Sequence, residues 1–153
     1  MKPLRPSAKA ILIENRRLLA VQMLDKDGDW YMLPGGGVHF GETLHDALRR
    51  ECREELGVDV EIGKLRFVRE YIARNHEFAE EEADAHQIEY MFDCRVVDAA
   101  TLGRGTNRDK GQLGLAWLPI ESLEEYRFYP KALRGPIRRM DSEPLPTYLG
   151  DVN

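Results

Sequence analysis

The sequence predicts an α+β fold for this chain of 153 residues, and two observations support that class. Short apolar runs recur along most of the chain, which is typical of β-strands. An amphipathic helix is predicted in the middle of the chain, with shorter helical pieces near the end. The length and the absence of an internal repeat indicate one domain over residues 1–153.

The clearest strand is predicted at residues 88–96, where apolar side chains alternate with polar ones and Met91 breaks the pattern. The apolar side chains of one face are Ile88, Tyr90, Phe92, Cys94 and Val96. Further strands are predicted at residues 9–13, 18–23, 30–33, 60–71 and 113–118. The first two of these lie close enough in sequence to form a hairpin.

The end of the chain is predicted to hold little regular structure. A short helix is expected at residues 121–126, and a last helical piece begins at residues 129–134 before Gly135 and Pro136 interrupt it. Residues 141–153 contain two prolines, so we expect a tail that is loosely ordered or packs on a neighbouring element.

The central helix is predicted at residues 44–56 from its two ends. Thr43 is a favourable N-cap, and Asp46 lies where an acid faces the free amide groups of the first turn. Gly57 is the expected left-handed residue at the C-terminal end. Leu44, Leu48, Cys52 and Leu56 project as one stripe, which predicts the side that packs on a core.

Three glutamates, Glu51, Glu54 and Glu55, share a side of this helix next to the apolar stripe. Like charges at this spacing destabilise a helix by roughly 0.2–0.5 kcal/mol a pair, and partial burial adds a desolvation cost. A divalent cation among the carboxylates would relieve both costs. Oxygen ligands favour Mg²⁺ or Mn²⁺ over Zn²⁺. The alternative interpretation is a solvated acidic face.

The spacing of residues around this helix resembles the signature of the Nudix hydrolases. The specified positions are Gly36, Glu42, Arg50, Glu51, Glu54, Glu55 and Gly57, with apolar residues at Cys52 and Val58. The resemblance implies a mixed β-sheet sandwiched between α-helices, with a loop–helix–loop Nudix box at residues 35–58. Cys52 departs from the family because a bulkier apolar residue is usual there.

The resemblance also implies roles for these residues. Glu51 and Glu55 would be the principal metal ligands, and Glu54 would be a further ligand or the base that acts on water. The carbonyl group of Gly35 would complete the metal site. Gly36, Gly37 and Glu42 would belong to the loop that binds phosphate. Arg50 and Glu42 would orient the site, as catalytic residues or as simple braces.

The activity implied is metal-assisted hydrolysis of the phosphoanhydride in a nucleoside diphosphate linked to another moiety X, with Mg²⁺, or Mn²⁺ in its place. One alternative is a Nudix-fold module that binds a nucleotide without cleaving it, although such modules usually lack box glutamates. An isoprenoid diphosphate isomerase would need a catalytic cysteine. An RNA-end pyrophosphohydrolase is a further alternative.

Residues outside the box indicate less. The acidic segment at residues 77–84 is interpreted as a mobile solvated loop, with a lid that supplies an acid as the alternative. Candidates for an additional acid are Glu82, Glu89 and Asp109. Aromatic residues that could stack a base, although strand aromatics are more often core, are Trp30, Tyr71, Tyr90 and Phe128. The basic residues Lys131, Arg134, Arg138 and Arg139 are interpreted as a solvated face, with contact to a terminal phosphate as the alternative.

Composition limits the partners. A net charge of −5 and a pI near 5.4 disfavour binding to long nucleic acid, which needs a basic surface. A small nucleotide stays compatible because a metal would supply local positive charge. Residues 1–7 hold no apolar signal region and no run is long enough to span a membrane, so we expect the cytoplasm, reduced Cys52 and Cys94, and no membrane partner. A homodimer is common in similar proteins.

Overall fold

The computed structural model describes residues 2–105 and 112–153, and in this part of the chain β-strands dominate. The strands are β1 (Arg5–Glu14), β2 (Arg17–Asp25), β3 (Gly28–Met32), β4 (Gly35–Gly37), β5 (Val60–Ile72), β6 (His86–Val96), β7 (Gln112–Pro119), β8 (Phe128–Tyr129) and β9 (Tyr148–Asp151). The α-helices are α1 (Leu44–Leu56), α2 (Ala79–Glu82) and α3 (Arg134–Arg139). Short 3₁₀ turns, including Ile120–Glu125 and Lys131–Leu133, complete the described structure.

The strands form one mixed sheet in the order β8-β3-β2-β1-β6-β5-β9, with β4 paired to β1 and β7 paired to β2. Strand β1 lies in the middle of this order. It runs parallel to β6 and antiparallel to β2 and β4. The predicted α+β class and mixed sheet are therefore confirmed, as is the hairpin of the first two strands.

Helix α1 has the predicted bounds because its caps form as expected. The amide of Asp46 donates to the Thr43 hydroxyl oxygen at 3.0 Å, and Gly57 adopts a φ of 74° at the C-terminal end. Leu48, Cys52 and Leu56 are fully buried against one face of the sheet. The other face is covered by the turns near the end of the chain and by α3, whose Ile137 is buried there.

Strand β6 is buried on both faces, which explains the irregular residue in its alternation. Tyr90, Phe92 and Val96 pack on the α1 side. Met91 is fully buried in the core of the other face, and Glu89 on that face is buried as well. The face that the alternation marks as polar is therefore only partly solvated, because the elements that cover it come from distant parts of the chain.

The end of the chain is more regular than the sequence predicts. Gly135 and Pro136 do not interrupt a helix but lie in the first turn of α3, where a proline needs no amide hydrogen. Of the two alternatives for the tail at residues 141–153, loose order is wrong and packing on a neighbouring element is right, because β9 pairs in parallel with β5 and extends the sheet. Asp151 fixes this strand by accepting hydrogen bonds from the amide of Ile72 and the side chain of Asn75.

None of the helices in the described residues is long and apolar enough to cross a membrane.

Candidate active site

Strand β4 consists of glycines and lies directly over the glutamates of α1. The amide of Gly35 donates to Oε1 of the buried Glu55 at 2.8 Å. A Cβ atom at Gly36 would lie 2.7 Å from the carboxylate of Glu51. Only a residue without a side chain lets the backbone approach that carboxylate so closely. The chain thus brings Gly35, Gly36, Glu51 and Glu55 together, as the motif predicts.

Arg50 joins the loop to the helix. Its guanidinium donates to both carboxylate oxygens of Glu42, each at 2.9 Å, and to Oε1 of Glu51 at 2.9 Å. It also donates to the carbonyl oxygen of Gly37 at 2.9 Å. A planar guanidinium suits this arrangement, because its donors point in fixed directions. Arg50 therefore has the geometry of a brace that sets the positions of two carboxylates.

This network changes the acidity of its members. Hydrogen bonds from Arg50 and, second, from the amide of His39 lower the pKa of Glu42 to about 2. The same contact with Glu42 raises the pKa of Arg50 above its usual value. Glu42 and Arg50 consequently stay charged at neutral pH, and the loop is held to the helix by a fully ionised pair.

The third glutamate, Glu54, is the most accessible of the three. One third of its side chain is exposed, and its Oε2 atom lies 3.5 Å from Nη1 of Arg50. Glu51 is half as exposed and Glu55 is buried. The residue that the motif offers as a base is therefore the one that solvent reaches most easily.

The donor atoms fit a hard divalent cation. Among the described residues, no three His, Cys, Asp or Glu side chains come close enough to hold a metal by themselves. Mg²⁺ does not require such a cluster, because it usually binds through one or two carboxylates and completes its shell with waters and substrate phosphates. Glu51 and Glu55, both set against the Gly35–Gly36 backbone, provide two carboxylates at one place.

A cleft of about 840 Å³ opens next to β4. Its floor is formed by side chains of β1 and β6, and Gly35 and Gly36 lie at its margin. Three aromatic rings stand together at the cleft, because Tyr129 makes edge contacts with Trp30 at 6.1 Å and with Phe78 at 5.3 Å between ring centres. The size and the aromatic lining suit a nucleotide-sized ligand.

The sequence identifies this aromatic group only in part. Trp30 and Tyr71 line the cleft, whereas Phe128 is fully buried in the core and Tyr90 packs on the α1 side. Phe78 and Tyr129 were missed. Tyr129 follows a buried residue in a two-residue strand and Phe78 lies in an acidic run, so neither shows an alternation that indicates the cleft.

The three candidates for an additional acid lie in different environments. Glu89 is buried at the cleft and forms an ion pair with Arg69 at 2.5 Å. Glu82 accepts a hydrogen bond from the Tyr71 hydroxyl at 2.9 Å. Burial, and then this contact, raise the pKa of Tyr71. Asp109 lies outside the described residues.

The acidic segment at residues 77–84 is exposed over most of its length, as the solvated interpretation predicts, but it is not a plain loop. It contains α2 and forms a wall of the cleft through Glu77, Phe78, Glu81 and Glu82. Glu77 is paired with Lys131 and also accepts from the side chain of Asn153 at 2.7 Å. The segment is thus held against the end of the chain.

The other three basic residues near the end are half-buried and do not line the cleft, although the Arg134 guanidinium lies 5.8 Å from the ring centre of Tyr129, which does. Arg138 pairs with Glu124 at 3.6 Å and Arg139 with Glu143 at 3.3 Å. Arg134 donates to the carbonyl oxygen of Phe128 at 2.9 Å. These contacts satisfy the cations within the protein.

The two cysteines are free thiols away from the cleft. Cys52 lies on the face of α1 that packs against the sheet, and burial raises the pKa of its thiol. Cys94 packs on the same side of the sheet, and burial raises its pKa to about 12. Neither thiol lines the cleft, so the structure offers no cysteine there for the isomerase alternative.

The mixed sheet, with its glycine strand packed against a glutamate-rich helix, has the arrangement that the Nudix motif predicts. A family model described as NUDIX domain matches residues 3–139, and the chain therefore belongs to the NUDIX family. The crystal structure of a NUDIX hydrolase from Nitrosomonas europaea has the same fold, with a TM-score of 0.71 at 17% identity over 100% of this chain and 81% of that chain.

Two curated relatives are similar in sequence over part of their length. The chain is 33% identical over 96 residues to the nucleoside triphosphatase NudI of Enterobacter sp. (strain 638), which covers 63% of this chain and 65% of that protein. It is 39% identical over 62 residues to an RNA pyrophosphohydrolase of Novosphingobium aromaticivorans, which covers 39% of this chain and 38% of that protein. The chain thus spans less than two thirds of each of these relatives.

Proposed function

We propose that this protein is a divalent-metal-dependent hydrolase that cleaves the phosphoanhydride of a nucleoside diphosphate linked to a moiety X. The observation that carries the proposal is the position of the Gly35–Gly36 backbone at the margin of a nucleotide-sized cleft. There it contacts the carboxylates of Glu55 and Glu51. Membership of the NUDIX family and the triphosphatase and pyrophosphohydrolase names of two relatives support the same reaction class.

Glu51, Glu55 and the carbonyl oxygen of Gly35 would hold Mg²⁺, with Mn²⁺ as a substitute and Glu54 as a further ligand if it is not the base. When bound, such a cation neutralises phosphate charge and acidifies a bound water. In the protein itself, the amide of Gly35 holds Oε1 of Glu55, and Arg50 holds Oε1 of Glu51. These hydrogen bonds keep two carboxylates in place before any ligand arrives, which reduces the reorganisation required.

Glu54 would take the proton of the attacking water on its carboxylate. The water oxygen forms a bond to phosphorus, the bridging P–O bond of the anhydride breaks, and the leaving phosphate keeps the bridging oxygen. Partial exposure of Glu54 lets water reach it, and Nη1 of Arg50, 3.5 Å from Oε2, helps to fix the position of the carboxylate. Arg50 would therefore act by positioning carboxylates and would not touch the reacting atoms.

A small nucleotide is the proposed partner, because the net charge of −5 offers no general attraction for long nucleic acid. The cytoplasmic location and the homodimer stay predictions from the sequence.

The test is release of phosphate or pyrophosphate from a panel of nucleoside triphosphates, dinucleoside polyphosphates and nucleotide sugars, with Mg²⁺, with Mn²⁺ and with neither. Monophosphate esters serve as negative substrates. Cleavage that requires metal and is limited to compounds with an anhydride would support the proposal. Tight nucleotide binding without turnover would instead indicate a catalytically silent binding module.

A further inference from the structure

The glycine strand β4 separates two groups of opposite charge. Gly36 is paired with Ala8 of β1 and faces α1, where a Cβ atom would meet the carboxylate of Glu51. Gly35 and Gly37 are paired with Lys9 and Ser7, whose side chains face the cleft. Carboxylates of α1 therefore lie on one side of β4. The odd-numbered residues of β1 lie on the other side, which faces the cleft.

Two of these β1 residues are cations that reach the glycine strand. A Cβ atom at Gly37 would lie 2.8 Å from Nε of Arg5, so the guanidinium lies directly against that residue. Nζ of Lys9 is 3.4 Å from the carbonyl oxygens of both Leu33 and Gly35. Arg5 and Lys9 are four residues apart on one face of the strand, which separates their Cα atoms by roughly 13 Å. They flank the two ends of β4.

Their charges are not neutralised by the protein in the part of the chain that the structure describes. In the described part of the chain, no carboxylate lies within 4.0 Å of Arg5 or Lys9. The same holds for Lys26 at the cleft, whereas three other cations nearby are paired. Arg69 at the same cleft contacts Glu89 at 2.5 Å, Arg127 contacts Asp25 at 2.8 Å, and Lys131 contacts Glu77. Arg5 and Lys9 thus retain the capacity to bind an anion that enters the cleft.

The opposite wall has the reverse sign. Glu81 and Glu82 of α2 line the cleft there. A polyphosphate is repelled from these carboxylates and attracted to Arg5 and Lys9. Within the cleft, a polyphosphate would therefore lie along β4, and the uncharged end of the ligand would meet the aromatic group of Trp30, Phe78 and Tyr129.

We propose that Arg5 and Lys9 bind a terminal phosphoryl group, and that the substrates are nucleotides ending in a free phosphate, as nucleoside triphosphates do. A terminal phosphoryl group carries a charge of about −1.5 to −2 at neutral pH. A nucleoside diphosphate capped by a neutral sugar has no such group, so two unneutralised cations favour the triphosphate. This inference rests on the proposed function, since it names the substrate class of the same site.

The kinetic test compares a nucleoside triphosphate with the hexose ester of the matching nucleoside diphosphate. In Arg5→Gln and Lys9→Gln, the ratio of kcat/KM for the triphosphate to that for the sugar nucleotide should fall roughly ten- to a hundredfold, because each change removes a hydrogen bond to a charged group. Lys9→Arg should restore part of the ratio. Arg17→Gln, an exposed change on β2, is the matched control and should not move it. An unchanged ratio in both test variants would overturn the inference, as would a wild-type preference for the sugar nucleotide.

A binding measurement separates this inference from the proposed hydrolysis. Inorganic tripolyphosphate is titrated calorimetrically into the wild type, Arg5→Gln, Lys9→Gln and Arg17→Gln, all in the presence of EDTA. Weaker binding in the two test variants alone supports the cation pair, even if no nucleotide is hydrolysed. Equal binding in all four proteins overturns it, even if metal-dependent hydrolysis is found.

Discussion

The two sides of the cleft are built in different ways. On one side, the glycine strand and α1 are joined by contacts within one short segment, such as that of Gly35 with Glu55, 20 positions apart. On the other side, Arg69 of β5 contacts Glu89 of β6 and the carbonyl oxygen of Val152, 83 positions away. The first side has a fixed sequence spacing, whereas the second depends on the completed sheet. The side formed by the glycine strand and α1, which we propose is the catalytic side, should therefore respond to mutation through activity, and the assembled side mainly through stability.

The largest expected effect is on the catalytic side. Glu54→Gln keeps the size of the side chain but removes a proton acceptor, so kcat should fall about a hundredfold to ten-thousandfold while the fold is retained. Steady-state hydrolysis of the best nucleotide with saturating Mg²⁺, together with circular dichroism, measures both. Asp46→Asn removes a charge from the far side of the same helix and is the control. Wild-type turnover in Glu54→Gln would show that another group is the base.

Two adjacent glycines provide a sharper test of the same side. The atoms nearest to a Cβ atom at Gly36 are those of the Glu51 carboxylate, the flexible end of that side chain. Gly36→Ala should therefore displace the carboxylate and lower kcat/KM by roughly a hundredfold with little loss of stability. At Gly35, φ is 128° and a Cβ atom would lie 2.1 Å from the carbonyl oxygen of Ala8. Gly35→Ala should therefore reduce the free energy of unfolding by more than about 1 kcal/mol.

Urea unfolding and nucleotide hydrolysis, measured on both alanine variants, check this contrast. If Gly36→Ala instead unfolds as readily as Gly35→Ala, the close approach serves folding and not the position of Glu51.

The assembled side should lose stability when its buried ion pair is broken. Arg69→Met leaves Glu89 buried without its partner, which should cost about 3–5 kcal/mol in the free energy of unfolding. Arg69→Met combined with Glu89→Leu should recover most of the loss, because no charge is then stranded. Arg95→Met removes an exposed partner of Glu61 and should cost about 0–1 kcal/mol. Urea unfolding measures all three, and equal losses for Arg69→Met and Arg95→Met would refute the buried role.

The difference between a side of the cleft built from one short segment and a side built from distant segments explains how much the sequence could predict. Helix α1 and its caps follow from local chemistry at Thr43 and Gly57, and the spacing of the motif brings Glu51, Glu55 and Gly36 together. The cleft wall could not be predicted this way. Phe78 and Tyr129 are 51 positions apart and come together only when the chain has folded, so no local pattern indicates their contact.

The tail at residues 141–153 is a second case in which the local sequence does not predict the structure. Its prolines and polar residues indicate disorder, but the edge of β5 offers unpaired backbone groups that β9 satisfies. A strand added to an existing edge needs little apolar pattern of its own, so the sequence of β9 does not predict a strand. Docking of this segment then brings Asn153 to the cleft, where it contacts Glu77 of the acidic segment.

The smallest expected effect concerns the acid sensitivity of this docked tail. Burial alone would raise the pKa of Asp151, but hydrogen bonds from Asn75, the Ile72 amide and His76 outweigh it and lower the pKa from 3.8 to about 2. A depressed folded-state pKa stabilises the protein fully above the ordinary value, and this stabilisation is lost as the pH falls towards the folded-state value. The wild type should therefore lose more stability between roughly pH 5 and pH 2.5 than Asp151→Asn does. Urea unfolding at the two pH values, with exposed Asp84→Asn as the control, measures the difference. Equal acid sensitivity of the wild type and Asp151→Asn would show that the docked tail does not depend on this carboxylate.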